Sequence, residues 1–168
     1  MHRGEFTHTW IKPSKKLVVV GSSAVDITAQ VIKTAAFNTH STVPGSVRMT
    51  LGGVARNVAE AAHRRLSASM LPLTGSAVLV SAVGDDSFGR LLTEESKQIG
   101  MRTDGLLPVA NGRTAVCNMM LDSNGGLAGG IADMDIVESL DAESVSYRTD
   151  CALRYTHRSS HSGRKCNE

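Results

Sequence analysis

Met49-Thr50-Leu51-Gly52-Gly53-Val54-Ala55-Arg56-Asn57-Val58-Ala59-Glu60-Ala61-Ala62-His63-Arg64-Arg65-Leu66 changes character in its middle. Up to Leu51 it alternates apolar and polar residues as an extended segment does, and Gly52-Gly53 then breaks it. From Val54 onward small residues dominate. Val54, Val58, Ala61, Ala62 and Leu66 recur at helical spacing and define the face expected to bury. Paired glycines at a helix N-terminus let backbone approach a ligand closely, and the first helical N–H groups have no partner within the helix. Such a junction suits hydroxyl-rich or anionic ligands. Asn57 stands one turn into the helix, where its amide can both donate and accept. The alternative is a plain strand–turn–helix joint with Asn57 facing water.

Working outward, the length of 168 residues fits one ordinary domain with a real core. Hydrophobic residues make up 41% and aromatics only 4%, so the core must be aliphatic. A net charge of +2 gives no argument for a nucleic-acid or membrane partner. No run is apolar and long enough to span a bilayer. Three cysteines, Cys117, Cys151 and Cys166, without CxxC or Cys/His ligand spacing point to a reducing compartment, the cytoplasm. Residues 1–16 are basic and mixed, lack the apolar centre of a signal peptide, and read as a disordered lead-in.

Leu17-Val18-Val19-Val20 reads as a buried strand that opens a parallel sheet. The following Gly21-Ser22-Ser23-Ala24-Val25-Asp26 lacks the later glycines of a dinucleotide fingerprint and the Gly-Lys-Ser/Thr of a Walker loop. That absence argues against the nucleotide-binding domain of an oxidoreductase. It leaves Asp26 just beyond the C-terminal end of a parallel strand, where open α/β sheets bind ligands, or else as a turn aspartate bonding its own backbone. Ile27 to Val31 continues as a second extended segment, Pro44-Gly45 marks a turn, and Val47, Met49 and Leu51 alternate as a half-buried strand. Two short strands inserted between a core strand and its crossover helix make a flap.

Ala77 to Val83 is the next buried strand. Asp86 or Ser87 caps the helix after it, with Phe88, Leu91, Leu92 and Ile99 on its inner face and Gly100 as its stop. Capping explains Asp85-Asp86 better than a metal pair does. Met101 to Gly112 reads as connector, and Thr114 to Leu121 as a strand with Cys117 a small core side chain. Asp122-Ser123-Asn124-Gly125 is a hairpin turn, and Gly126 to Ala132 returns and ends at Asp133. Past Leu140 the sequence turns to Arg, Ser, His and Thr. His157 and His161 are spaced for a helix face, but Ser159, Ser160 and Gly163 argue against a helix there, and residues 141–168 read as a disordered tail.

Four features in this order resemble the N-terminal half of the ribokinase-like (PfkB) carbohydrate and nucleoside kinases. They are the strand-Gly-Ser-x-x-x-Asp opening (Gly21 to Asp26), Gly-Gly-x-x-x-Asn (Gly52 to Asn57), Val-Gly-Asp-Asp-x-x-Gly (Val83 to Gly89), and the Arg113-Thr114-Ala115 strand with its Gly-Gly hairpin. The resemblance covers residues 17–140. Within the family, Gly-Gly-Val-Ala-Arg-Asn-Val-Ala, Ser-Ala-Val-Gly-Asp-Asp and Ile-Ala-Asp-Met-Asp-Ile are similar to pseudouridine kinases, nearest the kinase part of fungal pseudouridine-metabolising bifunctional proteins. The fold this implies is α/β, a parallel-sheet core with an inserted β lid, truncated before the ATP-binding half. The activity it implies is transfer of phosphate from ATP to the 5′-hydroxyl of pseudouridine, with Mg²⁺ and a monovalent cation.

By the same resemblance Asp26 and Asn57 hold ribose hydroxyls and Gly52 and Gly53 line the sugar site. Thr114 and Asp133 are further candidates on the strands that face the substrate. The flap becomes the lid, which closes over a nucleoside or sugar and can join two copies in a homodimer. Ala24 stands where the family often has Asn, so the sugar contacts differ from those of ribokinase. The Gly-Ala-Gly-Asp that carries the family's catalytic base does not occur in this sequence. The expectation is therefore a substrate-binding half, inactive alone, or a binding and dimerisation module without catalysis.

Overall fold

The computed structural model describes residues 16–32, 41–68 and 76–154. The expectations for the first fifteen residues and for 155–168 lie outside the described residues. Two sheets organise the chain. Strands β1 (Lys16–Val20), β4 (Ser76–Gly84) and β5 (Leu106–Val109) form a parallel sheet in the order β1-β4-β5. Strands β2 (Ala24–Val31), β3 (Gly45–Gly52), β6 (Val116–Leu121) and β7 (Leu127–Asp133) form a second sheet in the order β3-β2-β6-β7.

The Val-rich β4 is the axis of the core, because it is paired on both sides and covered on both faces. One face carries Leu79 and Val83. Helices α1 (Val54–Ser67) and α2 (Ser87–Gln98) bring Ala55, Ala59 and Leu92 against it, and Val25, Met101 and Leu106 complete the cluster. The other face carries Val78, Val80 and Ala82. A 3-10 turn (Asp135–Ser139) places Ile136 against Ala24, Ala82 and Ala115. Helix α3 (Ala142–Arg154) places Val145 on Val78 and Val80. The result is a helix–sheet–helix layering.

Several expectations change. Helix α1 buries Ala55, Arg56 and Ala59, whereas Val54 and Val58, expected inside, are exposed. The small alanines let the helix lie close to β1 and β4, and that close approach turns the larger valines outward. The segment read as connector holds β5, which takes register on β4 through Ser81↔Leu106 to Gly84↔Val109. The segment expected to be disordered begins with α3. Asp141 accepts the Ser144 N–H at 2.7 Å as a cap, Arg148 donates to the Asp104 carbonyl at 3.3 Å, and Val145 anchors the helix on the sheet. Tertiary packing supplies what the sequence's weak periodicity did not. Cys151 in α3 is disulfide-bonded, a pairing the cysteine spacing gave no reason to expect, while Cys117 is free.

The flap is larger than two strands. β2 and β3 pair antiparallel from Ala24↔Gly52 to Val31↔Gly45, and β2 also pairs in parallel with β6 from Val25↔Val116 to Gln30↔Leu121. The hairpin β6–β7 therefore belongs to the flap. Its turn is built as its composition requires: the Asp122 carboxylate accepts the N–H groups of Asn124 and Gly126 at 2.8 Å, and Gly125 takes a φ of 87°. Among the described residues no helix is long and apolar enough to cross a membrane.

Candidate functional site

Strand β2 leaves the core at Ala24 and delivers Asp26 onto the same pleat of the second sheet as Thr50 and Cys117. Gly52 is the diagonal neighbour of Asp26 on that pleat. A Cβ at Gly52 would overlap the Asp26 carboxyl, with the carboxyl carbon only 2.6 Å away. Glycine is therefore what admits the acid at this point. Gly53 has a different reason. Its φ is 92°, and a Cβ there would stand 2.6 Å from both the Ser22 carbonyl oxygen and the Ser23 Cα. The two glycines thus clamp the junction between the β1–β2 turn on one side and Asp26 on the other.

The turn itself is held by buried serines. Ser23 donates its N–H to Ser81 Oγ at 2.9 Å, and the two hydroxyls lie 3.0 Å apart. Helix α1 starts at this point with Arg56 N–H donating to the Ser22 carbonyl at 3.3 Å and Asn57 N–H to the Gly53 carbonyl at 3.0 Å. The first of these bonds takes one of the N–H groups that the sequence left free for a ligand. Asn57 is exposed, one turn beyond the glycines. Burial pushes the Asp26 carboxyl above its ordinary value. Among the described residues no hydrogen bond or ion pair engages that carboxyl, so it is a partly desolvated acceptor set against Gly52.

Thr114 and Asp133 are engaged by other partners. Thr114 is 2% exposed and its hydroxyl is engaged on both sides. It donates to Asp86 Oδ1 at 2.6 Å and accepts the Gly84 N–H at 2.9 Å, while Thr114 N–H donates to Asp86 Oδ2 at 2.8 Å. Asp86 Oδ1 also accepts the Gly89 N–H at 2.8 Å, so Asp86 caps α2 as its position in the sequence suggests and ties that cap to the strand of Thr114. Burial pushes Asp86 up, but the hydrogen bonds from Thr114, Gly89 and Phe88 outweigh it and hold its carboxyl below the ordinary value. Asp133 ends β7, two strands from β2 and on the opposite pleat from Asp26. Arg113 pairs with it at 2.8 Å, and that bond lowers its pKa. A cleft of about 240 Å³ is lined by Arg113, Asp133, Asp135 and Ser139, among others, and by none of Asp26, Gly52, Gly53 and Asn57. Among the described residues no three His, Cys, Asp or Glu side chains are grouped to hold a metal ion, and Asp86 is engaged as a cap.

The model of the pfkB family carbohydrate kinases matches residues 14–144 of this sequence, most of its length. The chain belongs to that family. Two curated members are similar. The pseudouridine kinase of Escherichia coli (strain K12) is 31% identical over 130 residues, covering 77% of this chain and 38% of the relative. The pseudouridine kinase of Arabidopsis thaliana is 30% identical over 122 residues, covering 73% of this chain and 29% of the relative. The chain therefore spans about a third of the length of these relatives. Among solved structures, a protein described as a sugar kinase from Clostridium perfringens superposes with a TM-score of 0.67 at 27% identity, over 83% of this chain and 41% of that one. The ribokinase of Arabidopsis thaliana complexed with ribose and ATP shares the fold, with a TM-score of 0.58 at 24% identity, over 72% of this chain and 36% of that one.

In this pfkB chain the sequence pointed to the acid, the glycines and the amide; the structure sets Gly52 against the Asp26 carboxyl and starts the helix of Asn57 at Gly53. It did not point to Arg56, which reads in one dimension as an ordinary helix charge and is 6% exposed in the fold. Nor did it point to Ser23 and Ser81, whose pairing depends on β4 returning beside the β1–β2 turn. A polar residue inside the Val-rich β4 was the one signal available for Ser81.

Proposed function

We propose that residues 17–140 form the substrate-binding part of a pseudouridine kinase. The observation that carries this reading is the joint at Asp26, Gly52, Gly53 and Asn57, taken with the 31% and 30% identity to two pseudouridine kinases. An ionised carboxylate accepts from a hydroxyl, and a carboxamide bonds to the neighbouring oxygen. A sugar needs such fixed polar partners in a site that a lid closes off from water. The reaction of the whole kinase is transfer of phosphate from ATP to the 5′-hydroxyl of pseudouridine, with Mg²⁺ and a monovalent cation. No step of that transfer is assigned to the described residues.

The lid supports a second element of this reading, a homodimer. Register puts Met49 and Ile131 on one pleat with Val47 and Met120, the face opposite Asp26. Val47 is 71% and Ile131 78% exposed. Covering such a face with its copy removes apolar area from water. In this second reading the chain is a binding and dimerisation module.

The test is calorimetric titration of pseudouridine into the 168-residue chain and into Asp26→Ala and Asn57→Ala. Saturable binding that both substitutions weaken supports the site. Absence of binding, or equal binding by both variants, overturns it. The same chain is expected to show no ATP-dependent phosphorylation of pseudouridine, because the sequence holds no Gly-Ala-Gly-Asp. Turnover abolished by a substitution within it would refute that.

A further inference from the structure

Arg56 is the charged side chain among the buried described residues, and three contacts engage the two terminal nitrogens of its guanidinium. Nη2 pairs with Glu60 Oε2 at 2.8 Å. Nη1 donates to the carbonyl of Leu51, the residue before the paired glycines, at 3.5 Å, and to Asn57 Oδ1 at 3.3 Å. Among the described residues Nε is buried without a partner. Glu60 also accepts from Arg64 Nε at 2.7 Å, and that bond, with help from Arg56, holds its carboxyl below the ordinary value. A helix-surface ion pair gains little and needs no burial, whereas burying a guanidinium is costly unless pairing and hydrogen bonds offset the lost hydration.

We propose that Arg56 is a positioning residue that fixes which end of the Asn57 carboxamide faces the ligand. A guanidinium carries donors only, so the amide atom it meets must be the oxygen. The NH₂ group is thereby turned away from Arg56 and becomes the end left for a ligand. Asp26, when ionised, only accepts. On the proposed sugar site the Asp26 acceptor and this oriented donor match a diol in which one hydroxyl donates to Asp26 and an adjacent oxygen accepts from Asn57. Glu60 holds the guanidinium from the next helical turn, and Leu51 ties it to the end of the lid strand. This inference rests on the proposed sugar site for its ligand, but not for the orientation of the amide.

The two parts are tested separately. In the ligand-free chain, ¹⁵N NMR of the Asn57 side-chain NH₂ should show a restrained group in the native sequence and in Arg56→Lys a less restrained one. Arg56→Met should free it, with thermal melts confirming that each variant folds. An Asn57 amide equally restrained in Arg56→Met overturns the proposal whatever the ligand does. Pseudouridine is then titrated into Arg56→Met, Asn57→Ala and the double variant. Each single change should weaken binding about tenfold, and the double should bind no worse than the weaker single. Losses that multiply overturn it. Asn57→Asp keeps an acceptor for Arg56 but removes the donor, so it should bind pseudouridine as poorly as Asn57→Ala, and native-like binding would refute the assigned direction. If the native chain fails to bind, or Asp26→Ala binds as well as native, the sugar-site reading has failed while the NMR result still judges Arg56.

Discussion

The Asp26 carboxyl occupies the space that a side chain at residue 52 would need. Gly52 and Asp26 are diagonal neighbours on adjacent antiparallel strands, and the absence of a side chain on one lets the other lie down across the sheet. Gly53, one residue on, faces backbone instead. The two glycines therefore fail differently when replaced.

Gly52→Ala collides with a side chain that can rotate, so its main effect should be displacement of Asp26, seen as lost pseudouridine binding with a stability cost of about 1 kcal/mol. In an Asp26→Ala background that cost should largely vanish. Gly53→Ala meets the Ser22 carbonyl and Ser23 Cα and keeps an unfavourable φ. It should cost about 1–3 kcal/mol or more, and Asp26→Ala should not relieve it. Urea melts of the two singles and two doubles decide the matter.

Asp26→Asn should stabilise the fold while weakening the ligand. Burial raises the Asp26 pKa above its usual 3.8, so the folded chain disfavours the ionised form relative to the unfolded chain. For an acid with a raised folded pKa, the unfolded state binds fewer protons between the two values, and stability falls as pH rises through that window. At pH 7 the full penalty is present, and it disappears as pH drops below 3.8. Denaturation of both proteins across this range should show the Asn variant ahead at neutral pH and the difference closing in acid. A native chain that is the more stable at pH 7 would contradict this.

Thr114→Val should cost about 1–3 kcal/mol, because it strands the Gly84 N–H and removes a donor from Asp86 inside the protein. Thr114→Ser should recover most of it. Asp86 has its folded pKa depressed, so its stabilisation is present above the unfolded value of 3.8 and is lost as pH falls through the folded one. The gap between native and Thr114→Val should therefore narrow in acid. A pH-independent gap would show that the hydroxyl matters through the Gly84 N–H and packing rather than through Asp86.

Ile131→Glu and Val47→Glu each place a charge on the outward apolar pleat of the lid. If copies of the chain meet there, sedimentation velocity should show association in the native chain and a monomer in the variants, with the Asp26 side of the lid undisturbed. Association unchanged by both substitutions would place the contact elsewhere.

Much of this architecture was readable because local and tertiary preferences agree. The apolar run of β4, the Asp86 cap and the Asp122-Ser123-Asn124-Gly125 turn each follow from one short segment. The missed elements depend on partners distant in sequence. β5 is four residues including Pro108, too short to signal without the β4 edge it joins. α3 is amphipathic only weakly and is held by Val145 meeting Val78 and Val80. Val54 and Val58 were expected inside because hydrophobicity alone ranks them above Ala55 and Ala59, while the sheet selects the smaller side chains for close approach. Of the candidate site, the residue types were visible at Asp26, Gly52, Gly53 and Asn57. Thr114 and Arg56 acquire their roles only from atoms the fold brings to them.

The parallel pairing of Val25 with Val116 has a kinetic consequence. β2 emerges early from the chain, but its partner β6 follows β4, α2 and β5. Closing so long a loop is entropically expensive until the intervening strands and helix are ordered. The β2–β6 seam is therefore expected to close after the central sheet. Substitutions at the β2–β6 seam should hasten unfolding and leave the refolding rate nearly unchanged.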